Sequence, residues 1–359
     1  MSGARHLVIM AAGTGGHVMP GLAMAHEMRR RGWSVSWLGT RQGLENRLVP
    51  PAGIALDAIG FSGLRGKGLL HAATGGLRLL VAFWECLRIL RARHASAVLG
   101  MGGYVCFPGG LMASLLGRPL VLVNADATLL LSNRALLPVA DAIAFGFDGP
   151  AARAERRAFV SGNPVREAIE SLPDPRQRFA GREGPLRLLV VGGSLGARVL
   201  NQTVPAAIAR IEPGRRPQVV HQTGPAECEA VRQAYAEAGI PAQVLPFIED
   251  MPERLGQCDV VLCRAGAITV SELCAAGAAA ILVPLVVSTT SHQRDNAAWM
   301  VAHEAALQLP QAELEPARLA ALLEPLQRER LLGLACRARE LARPHAAQRV
   351  ADTLERLAA

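Results

Sequence analysis

A glycine-rich turn ending in histidine, Ala11-Ala12-Gly13-Thr14-Gly15-Gly16-His17, follows the apolar run Leu7-Val8-Ile9-Met10 and leads into a helical pattern. Glycines between a buried strand and a helix bring backbone N–H groups and a helix N-terminus up to an anion, the usual means of holding phosphate. At a helix start the dipole disfavours a charged imidazole, so His17 would serve as a neutral base or donor near phosphate. A near-copy, Gly192-Gly193-Ser194-Leu195-Gly196-Ala197, follows Leu188-Leu189-Val190-Val191 and opens another helical pattern. A third turn, Cys263-Arg264-Ala265-Gly266, follows Val260-Val261-Leu262. Its helix is predicted to start near Ala267 or Ile268, with N–H groups turned to a diphosphate. Glu272 then lies one turn on, where a carboxylate accepts from both hydroxyls of a ribose. His292-Gln293-Arg294-Asp295-Asn296 offers amide and imidazole groups suited to sugar hydroxyls. Each has a plainer reading: a histidine that caps its turn, an acid that complements a helix dipole, a polar helix start.

The same residues exclude other chemistries. The first turn is not the dinucleotide fingerprint, because Val18 stands where a third glycine is needed and Leu38-Gly39-Thr40 offers no ribose-binding acid. Gly63-Leu64-Arg65-Gly66-Lys67-Gly68 has neither the spacing nor the context of a phosphate-binding P-loop. The chain holds no Asp-x-Asp pair, the usual device for a divalent cation on a donor diphosphate. Backbone amides and helix N-termini would then stabilise a leaving diphosphate, with no metal and no cofactor.

Short apolar strands alternate with longer helical patterns, which predicts an α/β chain of parallel βαβ units. Strands are read near 6–12, 34–38, 97–99, 120–123 and 142–145, and again near 186–191, 218–222, 243–246, 260–263 and 280–283. Ser161-Gly162-Asn163-Pro164 marks a stiff break between halves, since proline denies helix to the residue before it. We therefore expect two Rossmann-like domains facing each other across a cleft, residues 1–163 and 164–343. A C-terminal helix over about 344–359 is expected to return to the first.

The chain of 359 residues is half hydrophobic and 19% charged, with room for two cores. Its seven cysteines include no C-x-x-C pair and read as reduced core thiols of a cytosolic protein; no signal peptide precedes the first strand. The net charge of +8 suits nucleic acid, an anionic membrane or a phosphorylated substrate. Aromatics at 4% leave little for base stacking, which disfavours nucleic acid. No window is apolar enough to span a bilayer. Between Leu77 and Leu90 two apolar stripes share one helix: Leu77, Leu80, Val81, Trp84 and Leu87, and Leu79, Phe83, Cys86 and Leu90. Either both are buried between a sheet and a neighbouring helix, or one of them, fringed by Arg78, Arg88, Arg91 and Arg93, rests on an anionic membrane.

Taken together the motifs resemble the MurG family, the bacterial peptidoglycan glycosyltransferases of family 28 that add N-acetylglucosamine to lipid I. The resemblance runs almost end to end, through Gly13 to His17, Ser62 to Gly68, Gly100 to Val105, Gly162 to Arg166, Gly192 to Ser194, Phe247-Ile248 and Ala267 to Glu272. It implies a two-domain GT-B fold and inverting, metal-independent transfer from UDP-N-acetylglucosamine to the muramoyl 4-hydroxyl of undecaprenyl-linked lipid I, giving lipid II. By matching position, Arg166 and the backbone of Ile248 address the uracil side. Ser194 and the amides of Ala267, Ile268 and Thr269 hold diphosphate. Val270 and Ser271 of that turn also bind the donor substrate, Glu272 binds the ribose hydroxyls and Gln293 faces the sugar. Thr14, Gly15, Gly16 and His17 line the acceptor side, with His17 the base or its orienting partner. The family's basic, hydrophobic membrane patch matches 77–93, which implies a peripheral protein on the cytoplasmic face of the bacterial inner membrane, near cell-wall or divisome proteins. One segment departs: where the family has His-Glu-Gln-Asn, this chain has Val123-Asn124-Ala125-Asp126. A titratable pair is lost there, and Asp126 becomes a second candidate for the sugar contact or the base. A related GT-B enzyme with another acceptor, or a non-catalytic scaffold that binds UDP-sugar at the membrane, are the alternatives.

Overall fold

The computed structural model describes residues 5–13, 15–61, 69–193, 195–285 and 292–359, with 69–74 described by backbone alone. Thr14, Ser194 and the 62–68 motif lie outside the described residues. The chain divides into two compact units, residues up to Pro164 together with Arg343–Ala359, and Val165–Ala342.

The first unit is built on seven parallel strands: β1 (His6–Ala11), β2 (Ser34–Thr40), β3 (Ala55–Ile59), β4 (Ala97–Gly102), β5 (Leu120–Asn124), β6 (Ala142–Phe145) and β7 (Ala158–Val160). Their spatial order is β3-β2-β1-β4-β5-β6-β7. Both faces of this sheet are covered, so β1, β4, β5 and β6 are continuous apolar runs rather than alternating ones. One face packs on the Gly15–Arg30 helix and on Val350, Ala351 and Leu354 of the C-terminal helix Ala346–Leu357. The other packs on the Leu69–Ala92 and Cys106–Leu115 helices.

In the second unit six parallel strands, β8 (Arg187–Val191), β9 (Gln218–Gln222), β10 (Ala242–Leu245), β11 (Val260–Cys263), β12 (Ala280–Leu282) and β13 (Leu307–Gln308), run in the order β10-β9-β8-β11-β12-β13. Each sheet therefore reverses its order at its first strand. β1 lies between β2 and β4, and β8 lies between β9 and β11. Successive crossovers leave opposite faces at such a switch point, which opens a crevice beyond the strands' carboxyl ends. The first glycine turn follows β1, the second follows β8, and the Gly266 turn follows β11.

The sequence reading misses three strands, and all three are sheet edges. β3 carries Asp57 in mid-strand, and β7 and β13 have three and two residues. Of the two stripes on the Leu69–Ala92 helix, one is buried, with Cys86 and Leu90 inside and Phe83 against Phe107. The other is not: Leu77, Leu80, Val81 and Trp84 are exposed. The helix is thus not covered on both stripes. No helix among the described residues is long and apolar enough to cross a membrane. The cysteines are free, and all but Cys336 are buried.

Candidate functional site

In the first unit the crevice is walled by the ends of β1, β4 and β5. The Ala11–Gly13 backbone is held group by group. Trp37 Nε1–H donates to the Ala11 carbonyl at 2.8 Å, and the Ala12 N–H donates to the Gly102 carbonyl at 3.3 Å. The Gly13 N–H donates to Glu45 Oε2 at 3.1 Å, so this amide of the turn already serves a buried carboxylate. His17 stands in the first turn of the Gly15–Arg30 helix, beside Gly15 and Gly16, half-buried. Its Nδ1 lies 3.3 Å from the Ala12 carbonyl, which can only accept. The proton of the neutral ring is therefore on Nδ1, and Nε2 is the basic nitrogen.

The space for that ring comes from β4. A β-bulge shifts the β1–β4 register so that Ala11 pairs with Gly102. Gly102 and Gly103 have φ of 119° and 92°, which only glycine takes readily. A Cβ on Gly102 would stand 2.6 Å from the imidazole, and one on Gly103 would stand 2.5 Å from the Ala12 carbonyl oxygen.

At the end of β5 the Val123-Asn124-Ala125-Asp126 segment resolves into parts. Val123, Asn124 and Ala125 are buried, and Asp126 alone of the four reaches the surface. Asn124 spends its carboxamide on its own loop. Nδ2 donates to the carbonyls of Asp126 (2.8 Å) and Thr128 (3.0 Å), while Oδ1 accepts from Leu130 N–H (2.9 Å) and Asn133 Nδ2 (3.2 Å). Asn133 also binds the Val123 carbonyl at 3.0 Å. Asn124 thus shapes the loop, and Asp126 is the half-buried residue of this segment. β4 lies between β1, which leads to His17, and β5, which ends before Asp126, so those two strands stand two spacings or about 10 Å apart.

In the second unit the Ala267–Ala276 helix begins at Ala267, and among the described residues no side chain caps its N-cap residue Gly266. The N–H groups of Ala267, Ile268 and Thr269 precede the first intrahelical bond, Val270 N–H to the Gly266 carbonyl at 2.9 Å. They are the positive end of that helix dipole. Its other end meets cations: Arg178 Nη2 donates to the Ala276 and Gly277 carbonyls at 2.5 and 2.6 Å, and Arg339 Nη1 to that of Ala275. Val270 is buried, while Ser271 and Glu272 are half-buried beside it.

Glu272 and Arg166, far apart in sequence, meet here. Arg166 Nε and Nη2 both donate to Glu272 Oε1, at 3.1 and 2.9 Å. Burial raises the Glu272 carboxyl above its ordinary value, against the opposing pull of the Arg166 charge. Gln293, in the first turn of the His292–Ala302 helix, accepts with Oε1 from the N–H groups of Ala265 (3.3 Å) and Leu285 (2.9 Å). One turn later Asn296 Nδ2 donates to the Ala265 carbonyl at 3.1 Å. The loop entering the Ala267 helix is thus pinned on both sides of one residue. The Ile248 N–H donates to Gln222 Oε1 at 3.2 Å, and Gln222 Nε2 donates to the Gly193 carbonyl at 2.8 Å.

Gln222 and Glu45 are the residues that sequence reasoning misses. Both are buried side chains that tie a functional turn to a distant strand end. The hints were slight, a polar residue closing the apolar strand β9 and an acid following Gly39-Thr40 and Gly43.

Comparison with known proteins bears on the family and the fold. Residues 7–145 match the glycosyltransferase family 28 N-terminal domain, and residues 187–357 match the glycosyltransferase family 28 C-terminal domain. The chain is 68% identical over 358 residues, 98% of each chain, to the UDP-N-acetylglucosamine–N-acetylmuramyl-(pentapeptide) pyrophosphoryl-undecaprenol N-acetylglucosamine transferase of Methylibium petroleiphilum. It is 60% identical over 356 residues, 99% of each chain, to the protein of that name from Chromobacterium violaceum. Among solved structures it is similar to MurG of Acinetobacter baumannii, with a TM-score of 0.86 and 37% identity over 98% of this chain and 99% of that one.

Proposed function

The chain belongs to glycosyltransferase family 28, with the paired Rossmann-like units of the GT-B class, and we propose that it transfers N-acetylglucosamine from UDP-N-acetylglucosamine to the muramoyl 4-hydroxyl of lipid I, forming lipid II. The observation that carries the donor half is the pairing of an uncapped helix start at Ala267 with the Arg166–Glu272 pair one turn along it. The amides of Ala267, Ile268 and Thr269, with Ser194, hold the diphosphate. Val270 packs that turn from within, and Ser271 stands at its surface. Glu272 takes the ribose hydroxyls and Arg166 orients it beside the uracil. Ile248 meets the base through its backbone once Gln222 yields its N–H. Gln293 keeps its oxygen on the loop and turns its amide nitrogen to the sugar. No metal and no cofactor is assigned to the donor site.

The acceptor belongs to the first unit, at Thr14, Gly15, Gly16 and His17. The muramoyl hydroxyl oxygen attacks the anomeric carbon, the bond to the diphosphate oxygen breaks, and UDP leaves with that electron pair. His17 Nε2 receives the hydroxyl proton, with Asp126 as a sugar contact or alternative base. Charge growing on the leaving diphosphate is met by donors already in place. The exposed stripe Leu77, Leu80, Val81 and Trp84, with Arg88 stacked 5.1 Å from the Trp84 ring, seats the protein peripherally on the anionic cytoplasmic face of the bacterial inner membrane, where lipid I resides.

An acceptor panel tests this reading. Labelled UDP-N-acetylglucosamine is supplied with lipid I, with the undecaprenyl-diphosphate carrier lacking muramoyl, and with free sugars. Transfer is expected to lipid I alone. Transfer only to another acceptor, or binding with no transfer, contradicts it.

A further inference from the structure

Glu45 is a fully buried carboxylate that meets three neutral donors. Oε1 accepts from Thr40 N–H at 3.0 Å and Thr40 Oγ1–H at 2.6 Å, and Oε2 accepts from Gly13 N–H at 3.1 Å. Burying an ionised carboxylate is costly unless donors compensate it. Burial alone would push this group up, but the Thr40 donors, its own backbone N–H and the Gly13 N–H together outweigh it and hold it below the ordinary carboxylate value.

The backbone is cleared to admit it. A Cβ on Gly43 would stand 2.2 Å from Oε2 and 2.5 Å from Oε1, and one on Gly39 would stand 2.9 Å from Cγ. Gly43 does not have the positive φ that would itself demand glycine. Its missing side chain therefore serves the carboxylate, not the turn. Of the three bonds, two stay beside Glu45 in sequence, while the third reaches Gly13. That N–H opens the turn whose preceding carbonyl, Ala12, fixes the His17 ring. With a carboxylate on this amide, the Gly13 N–H is spent on holding the turn that carries His17.

We propose that Glu45 is a positioning residue: it fixes the Gly13 turn so that His17 presents Nε2 to the acceptor hydroxyl. This rests on the assignment of that turn to the acceptor. The test is Glu45→Gln in the full enzyme. A carboxamide has one acceptor oxygen for three donors, so its NH2 must face either Gly13 or Thr40 as donor against donor. The expected result is a fall of about tenfold or more in kcat/KM for lipid I, with the affinity for UDP, bound by the other unit, within about twofold of wild type. Loss of both together would mark a merely structural residue and overturn the proposal, as would unchanged turnover. Should Glu45→Gln fail to fold, Gly43→Ala carries the test. It keeps the charge but drives the carboxylate off Gly13, and the same split is expected; wild-type kinetics in this variant overturn the proposal. Wild-type enzyme that makes no lipid II overturns the acceptor assignment itself. Active wild type with unaltered variants overturns the role of Glu45 alone.

Discussion

Glu272 sits between two opposed effects, burial that raises its carboxyl and an Arg166 guanidinium that lowers it, and burial prevails. A raised folded pKa means the charged form is disfavoured in the folded state, so this carboxylate lowers stability as pH rises past its unfolded value. Glu272→Gln should therefore leave thermal stability at neutral pH unchanged or slightly higher while weakening UDP binding about tenfold or more, read by melting curves and titration calorimetry. A fall in stability with UDP affinity intact would contradict the assignment. His17→Ala should act in the opposite sense on ligand and rate, cutting turnover by about a hundredfold or more with UDP affinity kept. Unchanged turnover removes His17 from the chemistry. Glu272 and Gln293 were legible in the sequence as candidates, because each sits at or near a helix start that follows a strand and a turn. Gln222 and Glu45 were not, since their partners, Ile248 and Gly13, lie 26 and 32 residues away. The same holds for Asn124, whose substitution read as a lost group and is in fact a loop organiser.

Strands with two covered faces announce themselves as apolar runs, which is why the central strands of both sheets were predicted. The edge strands β3, β7 and β13 bury less, and their short or interrupted patterns fell below that signal. The C-terminal helix was legible as a helix returning to the first domain, and it docks through Val350, Ala351 and Leu354; the charges that flank this contact are what spacing does not expose. Arg31 joins Glu27 at 2.7 Å to Asp352 at 2.6 Å and Glu355 at 2.7 Å, and Trp33 Nε1–H adds a bond to Glu355 at 3.2 Å. Arg31→Ala should lower stability by about 1–3 kcal/mol in urea unfolding and raise amide exchange over Ala346–Leu357. Hydrogen bonds from Arg30, with Arg31, hold the Glu27 carboxyl below its ordinary 4.5. That contribution is full above the unfolded value and is lost as pH falls through the depressed one. The Arg31→Ala penalty should accordingly shrink as pH falls below the ordinary carboxylate value; a penalty that stays constant throughout the acid range in which the protein remains folded would contradict the ion-pair account.

At the scale of the whole molecule, the proposed function rests on two features: an exposed apolar stripe on a basic chain, and two switch-point crevices equipped differently. The stripe should take the protein to membranes. Replacing both Leu80 and Trp84, exposed at 64% and 60%, by Glu should reduce binding to anionic vesicles about tenfold or more without changing the melting temperature. Equal binding by the variant would move the membrane contact elsewhere. The crevices began as similar glycine turns and differ in charge. Behind the first stands the Glu45 carboxylate, and at the second unit's helix start stand uncapped amides. The proposed function gives acceptor chemistry to the first and diphosphate to the second. The most direct test is product formation by the purified wild-type chain from lipid I and UDP-N-acetylglucosamine, with the new glycosidic proton read by NMR. The account predicts lipid II with a β-1,4 link and one UDP released per link. Consumption of donor without lipid II, or an α-linked product, would contradict it.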